Sequence, residues 1–306
     1  MGNTEKKERS PEEVAQDLSE HMGNKIEVIK EEDTFDFKCQ RCGQCCIGRN
    51  DIVLSPYDIY KAAKYLGITT AEFVKEYANL HLGHTSKCPV FTLAIDNRGW
   101  CPFLKFDVKN GGLFGCTIND AKPDACRNHP IGIASSFKME EDSNDINTAE
   151  FNEFYIKVEQ CGNSKGHNNP VKVADWIAKS KATVDERKWS HKLQTIPHMT
   201  FDIRKFYTLM GIQSMGPENT ENWSKEDKEK IEQVIDYTKE LIKNFFDLTV
   251  ELTYVNFDTN RPFCEQAEEN AVKLQELCDK TKEMYDISYD AFIKSGANPA
   301  ILEENW

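Results

Sequence analysis

Cys39, Cys42, Cys45 and Cys46 place four thiols within eight residues, spaced Cys-x2-Cys-x2-Cys-Cys. Two-residue spacing lets a tight turn aim neighbouring thiolates at one metal centre. Thiolates are soft, charged ligands, so the run points to zinc, copper(I) or an iron–sulfur cluster, and away from calcium or magnesium. Gly43 stands where the backbone must turn without a side chain. The spacing opens like a bacterial ferredoxin, but an adjacent cysteine replaces the x3-Cys-Pro continuation. Adjacent side chains tend to diverge. Cys45 and Cys46 therefore need not serve the same metal; one of them is open to being a packed thiol, a ligand to a second site or a redox partner.

The chain has 11 cysteines in all. Cys101-Pro102-Phe103-Leu104, Cys116-Thr117-Ile118 and Cys126-Arg127-Asn128-His129-Pro130 are short, turn-bounded segments able to close a metal shell from distant sequence, with proline stiffening the approach. Cys161, before Gly162, is of the same kind, and Cys88 is a weaker candidate. Cys264 and Cys278 fall on an apolar helical stripe with Ala271 and Leu274 and read as buried thiols. His129 is the one histidine inside the cysteine network, as a ligand or as a donor to one. Arg127 is placed to steady a negative centre. His81 and His84 read as helix-end residues. No HExxH, P-loop, Rossmann glycine pattern or nucleophile elbow occurs, so no catalytic residue is assigned.

These residues together resemble the YkgJ-type CxxCxxCC cysteine-cluster family, described as a zinc- or iron-chelating domain. The resemblance runs from Phe37 and the Cys39–Cys46 run through Cys101-Pro102-Phe103-Leu104, Cys116-Thr117-Ile118, Pro123-x2-Cys126-Arg127 and His129-Pro130 to Cys161-Gly162. It implies metal binding through a subset of Cys39, Cys42, Cys45, Cys46, Cys101, Cys116, Cys126 and Cys161. The implied cofactor is an iron–sulfur cluster, at most one of the 4Fe-4S type, or zinc. A related module occurs in flagellin lysine N-methylases, so an iron–sulfur-dependent modification enzyme is the alternative. The three-cysteine CxxxCxxC radical motif is absent.

The elements that must position these thiols are short. Ser55 caps a helix with Pro56 in its first turn and Asp58 completing a capping box; Ile59, Ala62, Ala63 and Leu66 form its stripe, and Gly67 ends it. Thr69 or Thr70 opens a second helix through Phe73, Tyr77 and Leu80, with Glu72 at capping-box spacing. Ile52-Val53-Leu54 predicts an extended piece, residues 88–130 loops with short strands, Asn110-Gly111-Gly112 a turn, and Phe154, Ile156 and Val158 another strand. Beyond a polar stretch over 162–170 the pattern turns helical: a short helix over 171–177, one opening at Ser224, and a last long helix over about 264–294. The alternation of Leu248, Val250, Leu252 and Tyr254 predicts a strand between the last two.

The expected fold is α+β: a charged tail or peripheral helix over 1–34, a cysteine-rich metal-binding domain over 35–165, and a mainly helical region over 166–306. The formal charge of −13 is not concentrated in the cysteine region, where basic and acidic side chains nearly balance. No basic surface is evident for nucleic acid, and no apolar run is long enough for a membrane span. The opening residues lack a secretory signal, so the chain reads as soluble and cytoplasmic. Three functions are open: a redox or structural metal-binding protein with a redox partner, a modification enzyme, or a metal-stabilised module whose acidic half meets a protein partner.

Overall fold

The computed structural model describes residues 10–22, 26–83, 86–108, 111–138, 146–158, 166–200 and 224–294. Mixed helices and strands fill the first part, and a more helical region follows.

Helix α1 (Pro11–Met22) leads into β1 (Glu27–Ile29), the edge of an antiparallel sheet with β9 (Glu150–Lys157) and β8 (Ile131–Lys138) in the order β1-β9-β8. The expected alternation in 154–158 appears as β9, with Ile156 buried against Ala15 and Ile26. β2 (Thr34–Asp36) pairs with β10 (Pro170–Lys172), so the chain on either side of the cysteine region is joined by a strand ladder. The short helix expected over 171–177 forms as α5 (Val173–Ile177).

Helix α2 (Pro56–Leu66) begins as its sequence dictates. Ser55 Oγ accepts from the Asp58 amide and the Asp58 carboxylate accepts from the Ser55 amide, both at 3.1 Å. Gly67 ends the helix at φ 70°. Helix α3 (Thr70–Tyr77) has the Thr69–Glu72 box at its start. It stops short of Leu80: Ala78–Leu82 is β4, paired with β5 (Pro89–Leu93), which also pairs with β3 (Val53–Leu54). The ladder to β5 satisfies the backbone that a longer helix would have used, and Leu80 is left 55% exposed. His81 is consequently a strand residue, its Nε2 3.0 Å from Thr92 Oγ1, and not a helix-end residue. His84 lies outside the described residues.

β6 (Leu104–Asp107) and β7 (Leu113–Cys116) make a hairpin whose turn includes Gly111 and Gly112, at φ 81° and 72°. Helix α4 (Asp124–Asn128) then carries Cys126 into β8. The later helices are α6 (Val184–Thr200), α7 (Lys225–Val250) and α8 (Phe263–Lys294). Leu193, Ile196, Phe245, Phe263, Leu274 and Cys278 are buried among them.

The strand expected through Leu248, Val250, Leu252 and Tyr254 is not formed. α7 runs through Val250 and continues as a π-helical turn over Glu251–Val255. Leu248 is 41% exposed whereas Leu252, Thr253 and Tyr254 are all buried, so the period-two pattern does not separate an inner from an outer face. The turn lies among α2, α3, α6 and α8, and burial on several sides overrides the local alternation. No described helix is long and apolar enough to cross a membrane.

Candidate metal centre

The cysteine run is held open by its partners. Phe37, 6% exposed, packs edge-on to Trp176 at 5.1 Å and His129 at 6.2 Å, fixing the chain just before Cys39. Arg41 is pinned to β7 by two 3.0 Å bonds: its carbonyl accepts from the Phe114 amide and its Nε donates to the Phe114 carbonyl. Gly43 adopts φ 79°, which favours glycine, and a Cβ there would stand 3.0 Å from the Phe114 ring and press on it. A single 3-10 turn, Gln44–Cys46, follows.

That turn is zipped to the Cys101 segment. The Cys101 amide donates to the Cys46 carbonyl at 2.8 Å and the Gly48 amide to the Gly99 carbonyl at 2.7 Å. Asp96 closes the adjoining loop by accepting from the Arg98 and Trp100 amides at 2.8 and 3.0 Å. Cys116 ends β7 opposite Leu104. Cys126 is placed by α4, which α2 anchors: the Asp124 amide donates to Asp58 Oδ1 at 2.9 Å, and Lys61 Nζ reaches Asp124 at 3.0 Å and Asp58 at 3.3 Å.

Cys45, Cys46, Cys101, Cys116 and Cys126 thereby line one cavity of about 280 Å³. Arg49, Lys122 and His129 share its wall with Ile52, Phe103, Ile118 and Ile131. Cys39 is exposed and Cys42 half-buried, and neither lies on this wall. Cys161 lies outside the described residues. Cys88 is 3% exposed and away from the cavity; burial pushes its thiol up to about 12. Cys278 is fully buried among apolar side chains of the helical core, as its stripe predicts, and Cys264 packs partly buried against that core.

The sulfurs of Cys45 and Cys46 are 3.8 Å apart, so these adjacent side chains converge instead of diverging. The contact with Cys46, together with Lys122 and Arg49, lowers Cys45 to about 6. Cys46 is raised by the same contact, then by burial and the charge on Cys45. Burial lifts Cys101 to about 11 and raises Cys116 and Cys126, and the thiols raise one another further. A cation held among them would remove both penalties, because thiolate ligation would displace the protons.

His129 Nε2 is buried without a hydrogen-bond partner, and burial with the charge of Arg49 lowers its ring to about 4. A neutral imidazole nitrogen beside five thiols suits a thiophilic metal and fits no oxygen-ligated ion. Among the described residues, no three His, Cys, Asp or Glu side chains stand close enough to hold one ion as they are placed. What fits a thiophilic metal is the chemistry of the donor set, five thiols and one unpartnered imidazole nitrogen on one cavity.

Arg127 is off the cavity wall, yet its charge favours the thiolate of Cys116, as its sequence position suggests. Its guanidinium donates to the Asn119 carbonyl, while Arg49 and Lys122 line the cavity. Arg49 follows Cys46 by three residues and Lys122 precedes Pro123, but no motif marks either.

No curated protein and no solved structure matches the chain. Residues 38–162, about two-fifths of the chain, match the family model described as "CxxCxxCC: Putative zinc- or iron-chelating domain". The segment that gathers the five thiols is therefore similar to the CxxCxxCC family, whose description names zinc or iron chelation.

Proposed function

We propose that the chain is a metal-binding protein in which Cys45, Cys46, Cys101, Cys116 and Cys126 supply the ligands for zinc or one iron–sulfur cluster. Residues 35–165 form the metal-binding part and the helices of 166–306 support it. The reading rests on one observation: five thiols from four separate chain segments line a single cavity. Bound zinc supplies cross-linking of those loops, and a bound cluster supplies one-electron chemistry. The cytoplasm and a redox or protein partner complete the proposal.

The adjacent pair bears on the choice between metals. Two ligands of a tetrahedral ion with metal–sulfur bonds of about 2.3 Å lie about 3.8 Å apart. The Cys45–Cys46 separation is 3.8 Å, which suits shared ligation of zinc or of one iron in a two-iron cluster. A four-iron cluster takes one cysteine per iron and would leave one of the pair over.

Anaerobic purification followed by elemental analysis, with absorbance read on the same sample, tests the reading. One zinc per colourless chain, or equal iron and sulfide with visible absorption, supports it. Absence of stoichiometric metal, with the metal-free protein fully folded and hydrogen exchange over 38–162 unchanged by chelation, overturns it.

A further inference from the structure

A second cavity, of about 310 Å³, lies against the other side of α4. Val53, Ala125 and Gly132 are walls of both cavities, so the two abut. The short helix divides its side chains between them. Cys126 lines the thiol cavity, whereas Asp124 and Asn128, four residues apart and so on one helical face, line the second. Ser55, Ser135 of β8, and Ser190, His191 and Gln194 of α6 add to its polar wall.

Two carboxylates, Asp58 and Asp124, line this cavity. Arg187 spends its hydrogen bonds on the fold, although its charge still reaches Asp124: Nε and Nη2 donate to Glu153 at 2.6 and 2.8 Å, and Nη1 donates to the Ala182 carbonyl at 2.7 Å. Lys61 is shared between Asp58 and Asp124, so one ammonium serves two carboxylates. His191 adds no positive charge, since burial and His198 lower it to about 4. Asp58 and Asp124 thus share one ammonium, and burial with the charge of Asp58 raises Asp124.

The acceptors are also under-used. Asp58 accepts from the Ser55 and Asp124 amides, at 3.1 and 2.9 Å. Asp124 Oδ2 meets the Ser180 hydroxyl at 3.4 Å, a weak contact. Asn128 is 1% exposed and its Oδ1 has no hydrogen-bond partner. A buried acceptor left without a donor is costly, and native structures rarely keep one that nothing serves.

A complementary ligand must bring N–H donors and positive charge. An anion would meet the two carboxylates, and an apolar molecule would leave the acceptors unserved. A bare metal ion would have to displace Lys61, which already pairs with both carboxylates. We propose that this cavity binds a small organic ammonium compound, its N–H groups given to Asp124 and Asn128, beside the metal centre. The assignment stands on this cavity alone and survives if the neighbouring thiols hold no metal.

The experiment titrates the full-length protein with n-butylammonium and with the size-matched anion pentanoate, by saturation-transfer NMR and calorimetry. Saturable binding of butylammonium is expected, with pentanoate at least about tenfold weaker. Asn128→Leu replaces the unserved acceptor with a group of similar size, so thermal stability and metal content should hold while butylammonium affinity falls about tenfold or more. Asp124→Asn removes the charge at constant shape and provides the second arm if the leucine variant does not fold. Equal binding of the anion, absence of saturable binding, or unchanged affinity in whichever folded variant is measured would overturn the proposal. Loss of metal with butylammonium binding retained would instead count against the metal reading alone.

Discussion

A single cysteine side chain has no fixed role here; its surroundings decide it. Cys126 is partly buried and Cys278 fully so, yet one lies on a cavity shared with four other thiols and the other among Leu274, Ala271 and Tyr285. Replacing each by alanine removes the same atoms and separates the roles. Cys126→Ala is expected to weaken metal retention on the order of tenfold or more, since even partners outside the ligand shell have effects of that size. Cys278→Ala is expected to keep its metal and lose about 1–2 kcal/mol from a small cavity in the helical core. Metal content by mass spectrometry and urea titration of both proteins check this. Equal metal loss in the two folded variants would mean that the helical core belongs to the metal site.

At the level of elements, α2 holds α4 through charge. Asp58 is 3% exposed, and the Lys61 side chain 9%, so their pairing with Asp124 takes place out of water. Lys61→Met leaves two carboxylates facing each other without their cation. The expected loss is about 3–5 kcal/mol, read from urea denaturation at neutral pH, because an unpaired buried charge carries its full desolvation cost. A loss within experimental error would show that the network is screened. On α6, His191 stacks on Phe137 at 5.2 Å and 16°, and burial with His198 lowers it from 6.5 to about 4. The unfolded chain therefore takes up the proton first as pH falls. The contribution of His191 to stability is complete above pH 6.5 and is lost as pH falls toward about 4, by at most about 3 kcal/mol. His191→Phe keeps the stacking surface and should flatten the fall in denaturation midpoint between pH 7 and 4.5. Parallel curves for the two proteins would remove His191 as the cause.

For the whole molecule, Tyr254 ties the two parts together. It belongs to the core of Leu54, Ile59, Phe73 and Phe103, although it sits between the two longest helices. Its ring meets Phe91 edge-on at 5.0 Å, its hydroxyl donates to the Pro89 carbonyl at 3.2 Å, and Gln194 Nε2 donates to it at 3.0 Å. The β2–β10 ladder makes a second link across the cysteine region. Tyr254→Ala is expected to cost about 3–5 kcal/mol and to lower hydrogen-exchange protection in β5 and α6 together. Loss of protection confined to α7 and α8 would show that the two parts open independently.

Local signals were sufficient where the chain supplies its own partners. Ser55 and Asp58, Thr69 and Glu72, and the glycines at 43 and 67 fix caps and turns by bonds and torsions within a few residues. The family likeness of the cysteine run was legible for the same reason, since its motif lies within eight residues. Three features depended on distant sequence. β4 replaced the end of a helix because β5 offered a ladder, and the π-helical turn at 251–255 replaced a strand because other helices bury it on several sides. The cavity itself joins Cys45 and Cys46 to Cys101, Cys116 and Cys126 and admits Arg49, Lys122 and His129. Spacing along the chain specifies which thiols can turn toward one another within a loop. Which loops meet, and which cations and acceptors they enclose, was decided by the bonds from α2 to α4, the packing of α4 on β8 and the ladder of β3 with β5, and by the desolvation that packing imposes.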